Sequence, residues 1–309
     1  MAEQKELRFG ISIPQIFTDG VIDPAAIARW LAKAESLGYY GGWTQEQVLG
    51  TVAALDPVPL LSYAAALTSR MKLGTSVLLT ALRNPVPLAK SLATLDQLSQ
   101  GRLMVGVGLG GYADIYPAFG MAREGRARRF EEGVQLMKKL WTQDKVTFRG
   151  RFTQMENQTI DPKPLQEPHP PIWVGAGSPR ALKRAARLGD GWMGAGASSI
   201  PVFTEEIKLI RQYLDEEGRD PNTFALSKRV YIAVDRDKKR AEQKLREWFG
   251  RYSGDPQKIS VAVFGSEDEC VEELAKVVAE GIDMLMVNPL YDFEEQAERL
   301  AKDVLPKLR

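Results

Sequence analysis

The chain has 309 residues, 44% hydrophobic and 26% charged, an ordinary globular composition with enough length for a large core. Lys and Arg number 41 against 40 Asp and Glu, so no strong field favours nucleic acid or an anionic membrane. No apolar run approaches the roughly 20 residues of a spanning helix. The opening residues, MAEQKELRFGIS, lack the basic-then-apolar order of a secretory signal, and a single cysteine, Cys270, excludes an internal disulfide; both point to a reducing cytoplasm.

Strand and helix alternate along the chain. Leu7 to Ile13 reads as a strand, and a helix follows from about Pro24 to Leu37, with Asp23 as N-cap, Pro24 in the first turn and Gly38 as the stop. Tyr40 to Thr44 is a short second strand and Pro57 to Ser69 a helix. Lys72 to Leu78 is the third strand, Pro85 to Ser99 a helix ended by Gly101, Leu103 to Val107 the fourth strand, and Arg123 to Trp141 the fourth helix. The repeat then pauses. Lys145 to Pro171 holds a hairpin, VTFRGRFTQM, with Arg149-Gly150 at its turn, and a proline-rich run, expected to pack as an insertion over one end of the sheet. Strands resume at Ile172 to Val174, Gly191 to Gly194, Ala225 to Val234 and Asp283 to Val287. Helices fall near Arg180 to Leu188, Pro201 to Glu217, Lys238 to Phe249 and Glu267 to Ala279.

Eight strands trailed by helices imply an α/β fold with a parallel sheet, and the count favours closure into a (β/α)₈ TIM barrel over an open doubly wound sheet. Nothing divides the chain, so residues 1–309 read as a single domain with an insertion around 143–171. Ser266 and Glu269 form a capping box, and Cys270 lies on the apolar stripe of the helix they open, so it belongs to the core. His169 is the only histidine and no cysteine cluster exists, so no metal site is expected.

Several strands end in glycines or small polar residues, which in a barrel converge on one face and leave room for a large flat ligand. The segment Ile172-Trp173-Val174 runs into Gly175-Ala176-Gly177, and a helix opens at Ser178-Pro179. A strand that turns through small residues into a helix start leaves backbone N–H groups pointing one way, and phosphate is their usual occupant. Gly175 and Gly177 allow close approach, Ser178 offers a cap and a hydroxyl, Pro179 suits the first turn, and Arg180 supplies a charge. A strand-to-helix turn without a ligand is the alternative.

Three motifs then occur in a telling order: MKLGTSVLLTALRNPVPLAKSLATLDQLSQGRLMVGVGLGG (Met71 to Gly111), REGRARRFEEGVQLMKKLW, and PHPPIWVGAGSPRALKRAARLGDGW. In this order and spacing the chain resembles, over nearly its whole length, the bacterial luciferase-like family of flavin and deazaflavin enzymes. The resemblance implies an insertion-bearing barrel that binds coenzyme F420 or FMN at the strand C-terminal ends, with the cofactor phosphate at the turn from Gly175 to Arg180. It also implies a ring lying over the third strand against a cis bond at Ser76–Val77. Gly108 and Gly110, in the run after the fourth strand, join the cofactor-binding set. The resemblance further implies a homodimer formed through barrel helices.

Sequence separates the two cofactors poorly. The motif set is more similar to the single-chain F420-dependent oxidoreductases, and Arg123, Arg126, Arg128 and Arg129 offer charge for an acidic tail; a solvated helix face paired with Glu124, Glu131 and Glu132 is the alternative. The reading is hydride transfer between F420 and a small organic substrate, with an FMN-dependent monooxygenase using reduced flavin and O₂, or a non-catalytic flavin-binding protein, as rivals. Many relatives carry an Asp-His pair after the second strand, where this chain has Glu46 and Gln47. Either Gln47 only orients substrate, or proton transfer falls to Glu46 or Tyr112. No carboxylate precedes Asp114 after the fourth strand, which puts a glucose 6-phosphate activity in doubt. Trp43, Gln45 and Trp192 complete the expected substrate pocket, Trp43 and Trp192 having barrel packing as the alternative.

Overall fold

In this computed structural model, residues 6–111 and 113–309 are described. Strands β1 (Arg8–Ser12), β2 (Gly41–Thr44), β3 (Lys72–Thr75), β4 (Leu103–Val107), β5 (Ile172–Gly175), β6 (Gly191–Gly194), β7 (Ala225–Val234) and β8 (Met284–Pro289) pair in parallel, each with its sequence neighbour. β8 pairs with β1 in the register Arg8↔Met284, and β6 with β7 in the register Gly191↔Ala225, so no edge remains among the eight and the sheet is a closed barrel.

Helices α1 (Pro24–Ser36), α2 (Pro57–Leu67), α3 (Pro85–Leu98), α4 (Arg126–Thr142), α5 (Pro179–Leu188), α6 (Ile200–Glu216), α7 (Lys238–Ser253), α8 (Glu267–Val278) and α9 (Phe293–Arg299) cover the barrel. The first three start alike. The side chains of Asp23, Asp56 and Asn84 accept from backbone N–H groups of the first turn, and a proline follows each. The Ser266–Glu269 capping box is present, and Cys270 is fully buried, its thiol pushed up to about 12 by desolvation.

The barrel lumen is filled by Trp43, Met104, Trp173, Met193, Met284 and Met286. Trp43 and Trp173 lie 6.0 Å apart, 28° from parallel. Room for the Trp43 indole comes from glycines on both flanking strands: a Cβ on Gly74 or Gly10 would run into its ring.

Two expected boundaries are corrected, and the insertion and one further strand take their places. The third ladder stops at Thr75 because the Ser76–Val77 peptide is cis; the chain rejoins the sheet only at Leu78, which bridges to Val107. α4 begins at Arg126, since Gly125 is left-handed (φ 73) and Arg123 turns back to pair with Asp114 at 2.9 Å. The insertion packs on the outer helices and reaches the start of β4, where Gln166 donates to the Leu103 carbonyl at 2.7 Å. Its hairpin (Val146–Arg149 with Gln154–Gln158) lies along α4, where the Glu132 carboxylate accepts the N–H groups of Arg151, Phe152 and Thr153; its tail is held by Asp96 of α3. Past α7, a three-residue strand (Val263–Gly265) extends the sheet from the far end of β7, a short element without a periodic signal of its own.

Candidate active site

At the C-terminal face of the barrel, the turn after β5 forms one wall of a cavity of about 440 Å³. Gly175, Ala176, Gly177 and Ser178 line it, and the Ser178 hydroxyl makes no capping bond to its own helix, so it is available to a ligand. The turn is braced from behind. Trp192 donates its indole N–H to the Ala176 carbonyl (2.9 Å) and stacks on Phe203 at 5.5 Å. Trp192 is therefore packing between barrel and helices, while its neighbour Met193 faces the cavity.

Opposite the turn stand Ser76, Val77, Gly108 and Gly110. Val77 fits between two glycines: a Cβ on Gly108 would come within 2.6 Å of it, and one on Gly175 within 3.0 Å. Three cations line this cavity, Arg126, Arg184 and Arg229; of the arginines expected to meet an anion, Arg126 is among them and Arg180 is not. Arg180 is exposed and, with Pro179, lies off the lining. Arg184, one turn further along α5, reaches the lining and is held by Glu131 at 2.8 Å. Arg126 joins it from α4 over the Tyr116 ring, with its Nη1 buried and without a partner among the described residues. Of the other arginines of that helix, Arg129 stacks on Phe152 at 4.5 Å and Arg128 is exposed.

The loop after β6 (Ala195, Gly196, Ala197) closes the far side. It is tethered by Lys228, whose side chain is buried behind it. The ammonium donates to the Ala195 carbonyl and to the carbonyl and hydroxyl of Ser198 at 2.7 and 2.9 Å. Burial pulls this lysine down to about 7; Glu206, itself raised by burial, opposes the drop, and Arg229 adds to it.

A second chamber of about 410 Å³ adjoins the first, sharing Gly111, Ala197 and Arg229 with it. Glu46 and Gln47 line it, as does Tyr231. The Glu46 side chain is only 1% exposed, and its carboxylate is committed to the Arg83 guanidinium and the Leu79 N–H. It holds the loop after β3 in place rather than offering a base. The Gln47 Oε1 is buried without a partner, an unused acceptor. Tyr112 lies outside the described residues. Gln45 donates to the Tyr252 hydroxyl at 3.1 Å and accepts from Arg229 at 2.6 Å. Trp43, deep in the lumen, lines only a recess of about 30 Å³ beside β1 and β8.

Arg229 is the residue that reading the sequence missed. Its Nη1 donates to Gln45 Oε1 and, at 2.9 Å, to the Ser76 carbonyl; its Nη2 donates to the Tyr231 hydroxyl, also at 2.9 Å. Its Nε is buried and unpaired. All its acceptors are neutral, so its charge stands uncompensated where the two chambers meet. A signal was present: Lys228-Arg229 puts two adjacent cations inside the otherwise apolar strand ALSKRVYIAV. No cluster of metal-ligating side chains exists among the described residues, and no helix there is long and apolar enough to cross a membrane.

Comparison with known proteins fits this geometry. The family described as "Luciferase-like monooxygenase" matches residues 7–261. An F420-dependent glucose-6-phosphate dehydrogenase of Kineococcus radiotolerans is 32% identical over 234 residues, covering 73% of this chain and 68% of that protein. Among solved structures, the monooxygenase RslO1 from Streptomyces bottropensis superposes with a TM-score of 0.83 at 27% identity, covering 98% of this chain and 100% of its own. An F420-dependent secondary alcohol dehydrogenase shares the fold with the same TM-score, 0.83, at 21% identity, covering 99% of each chain.

Proposed function

This chain belongs to the luciferase-like family, and from that premise we propose that it is an oxidoreductase passing a hydride between coenzyme F420 and a small organic substrate. The observation that carries the proposal is the pair of confluent chambers. One is walled by a glycine-rich anion cradle, the other is largely apolar, and they meet at Arg229 beside the cis Ser76–Val77 bond.

The residues present suit such a cofactor. The orphaned Arg126 Nη1, the uncommitted Ser178 hydroxyl and the unpaired N–H groups at the start of α5 together ask for an anion. Gly175 to Ser178 would hold the phosphate, Arg126 and Arg184 would add charge, and Val77, Gly108 and Gly110 would bound the ring. F420, when bound, supplies the hydride chemistry. The chain's own part is positioning. Arg229 would polarise a substrate oxygen through its unused Nε–H, Gln47 would orient the substrate through Oε1, and Tyr231 and Tyr252 are the hydroxyls placed to hold a proton. With Glu46 tied to Arg83, no free carboxylate lines the substrate chamber among the described residues.

One observation favours a second reading. A structure named as a monooxygenase is 27% identical over 98% of this chain, which keeps an FMN-dependent monooxygenase in view. Fluorescence titration with F420 and, separately, with reduced and oxidised FMN decides. Tighter binding of F420 with no oxygen-18 incorporated into product supports hydride transfer; FMN preference with oxygen-18 incorporation overturns it. Tight binding without turnover on either cofactor would leave a flavin carrier. We also propose a homodimer, for which Tyr63, Leu67 and Leu98 supply exposed apolar surface on α2 and α3; light scattering tests it.

A further inference from the structure

The charge in the second chamber is one-sided. Its lining carries two cations, Arg229 and Lys258, and one carboxylate, Glu46, already neutralised by Arg83. Arg229 bonds only neutral oxygens. Lys258, on the short helical segment Pro256–Val261 that follows α7, is half-buried, and its ammonium has no hydrogen-bond or ion-pair partner among the described residues. Lys139, Lys145 and Lys239 likewise lack a side-chain partner among those residues, but they are exposed to water, whereas Lys258 is half-buried in the chamber wall.

The remaining walls are apolar. Leu79, Ile115 and Phe249 face the chamber, and Val48 and Leu49 stand at its rim 44% and 52% exposed, a cost in water that a bound apolar group would relieve. A polyhydroxylated ligand would leave most of its hydroxyls unpaired against such walls.

Resting on the reading of this chamber as the substrate side of the site, we infer that the substrate is an amphiphilic anion: an apolar body of about one aromatic ring ending in a carboxylate that pairs with Lys258. The carboxylate stays at the mouth, where Lys258 need not be desolvated, and the apolar body runs inward along the walls and carries the reacting oxygen to Arg229 and the cofactor chamber. Glu46, held by Arg83, adds no repulsion.

Calorimetric titration with hydrocinnamate and its amide, hydrocinnamamide, tests this on protein saturated with its preferred cofactor and on protein without added cofactor. The carboxylate is expected to bind at least about tenfold tighter than the amide, the effect of one charge-assisted hydrogen bond. The preference should vanish in Lys258→Met, return in Lys258→Arg and persist in the surface control Lys307→Met. Equal affinity for the amide, an unchanged preference in Lys258→Met, or tighter binding of glucose 6-phosphate overturns the inference. If neither F420 nor FMN binds while the carboxylate preference survives in cofactor-free protein, the hydride reading falls and the anion site stands.

Discussion

Arg126 and Arg180 show how little a residue's type says about its task. Both were candidates for anion binding, and both are basic residues at the start of a helix. Arg180 follows the cap of α5 and projects into solvent, whereas Arg126 opens α4 and brings an unpaired Nη1 to the cavity. A buried guanidinium N–H without an acceptor costs free energy that a bound phosphate or carboxylate would recover. Arg126→Met should therefore weaken cofactor binding at least about tenfold while leaving the thermal midpoint essentially unchanged. Fluorescence titration beside a melting curve checks this; a variant with native affinity would place the anion elsewhere.

Among the elements, the loop between β6 and α6 depends on a single buried lysine. Lys228 is 1% exposed and holds Ala195 and Ser198 from behind, with Glu206 and Arg229 as the charged groups nearest it. Its pKa falls from 10.5 to about 7 on folding, so between those values the unfolded chain binds more protons than the folded one. Stability must then rise with pH across that window, and the charge-burial penalty is complete below it. The thermal midpoint of the natural chain, minus that of Lys228→Met, should increase from pH 6.5 to 9.5. A flat or falling difference would mean that the lysine stays charged throughout. The remaining elements divide by locality. The starts of α1, α2 and α3 were legible because Asp or Asn followed by proline is a contiguous signal. The route of the insertion was not, because it is set by Glu132 and Asp96, single carboxylates whose acceptor role shows only when distant N–H groups arrive.

For the molecule as a whole, closure makes the lumen a fixed volume. Gly10, Gly74 and Trp43 form one packing unit across β1, β3 and β2, and the glycines are small because the indole is large. Gly74→Ala should cost about 1–3 kcal/mol by overpacking. Trp43→Leu in the same chain should return part of that loss, making the two substitutions non-additive. Urea unfolding of the singles and the double measures the coupling, and strict additivity would show that the lumen adjusts elsewhere.

The sequence by itself determined the eight strands, the helices α1 to α8, the caps of α1 to α3, the glycine-rich turn after β5 and the family, because each is carried by periodicity or by residues adjacent in the chain; α9 after β8 was not read from it. Only the tertiary structure decided which cations reach the cavity, that Glu46 is committed to Arg83, and that Arg229 stands between the chambers. Gln45 and Ser76 follow directly on β2 and β3 and Arg229 lies in β7, far apart in sequence. Hydrogen bonds act over about 3 Å, so these residues had no relation to one another until the barrel closed.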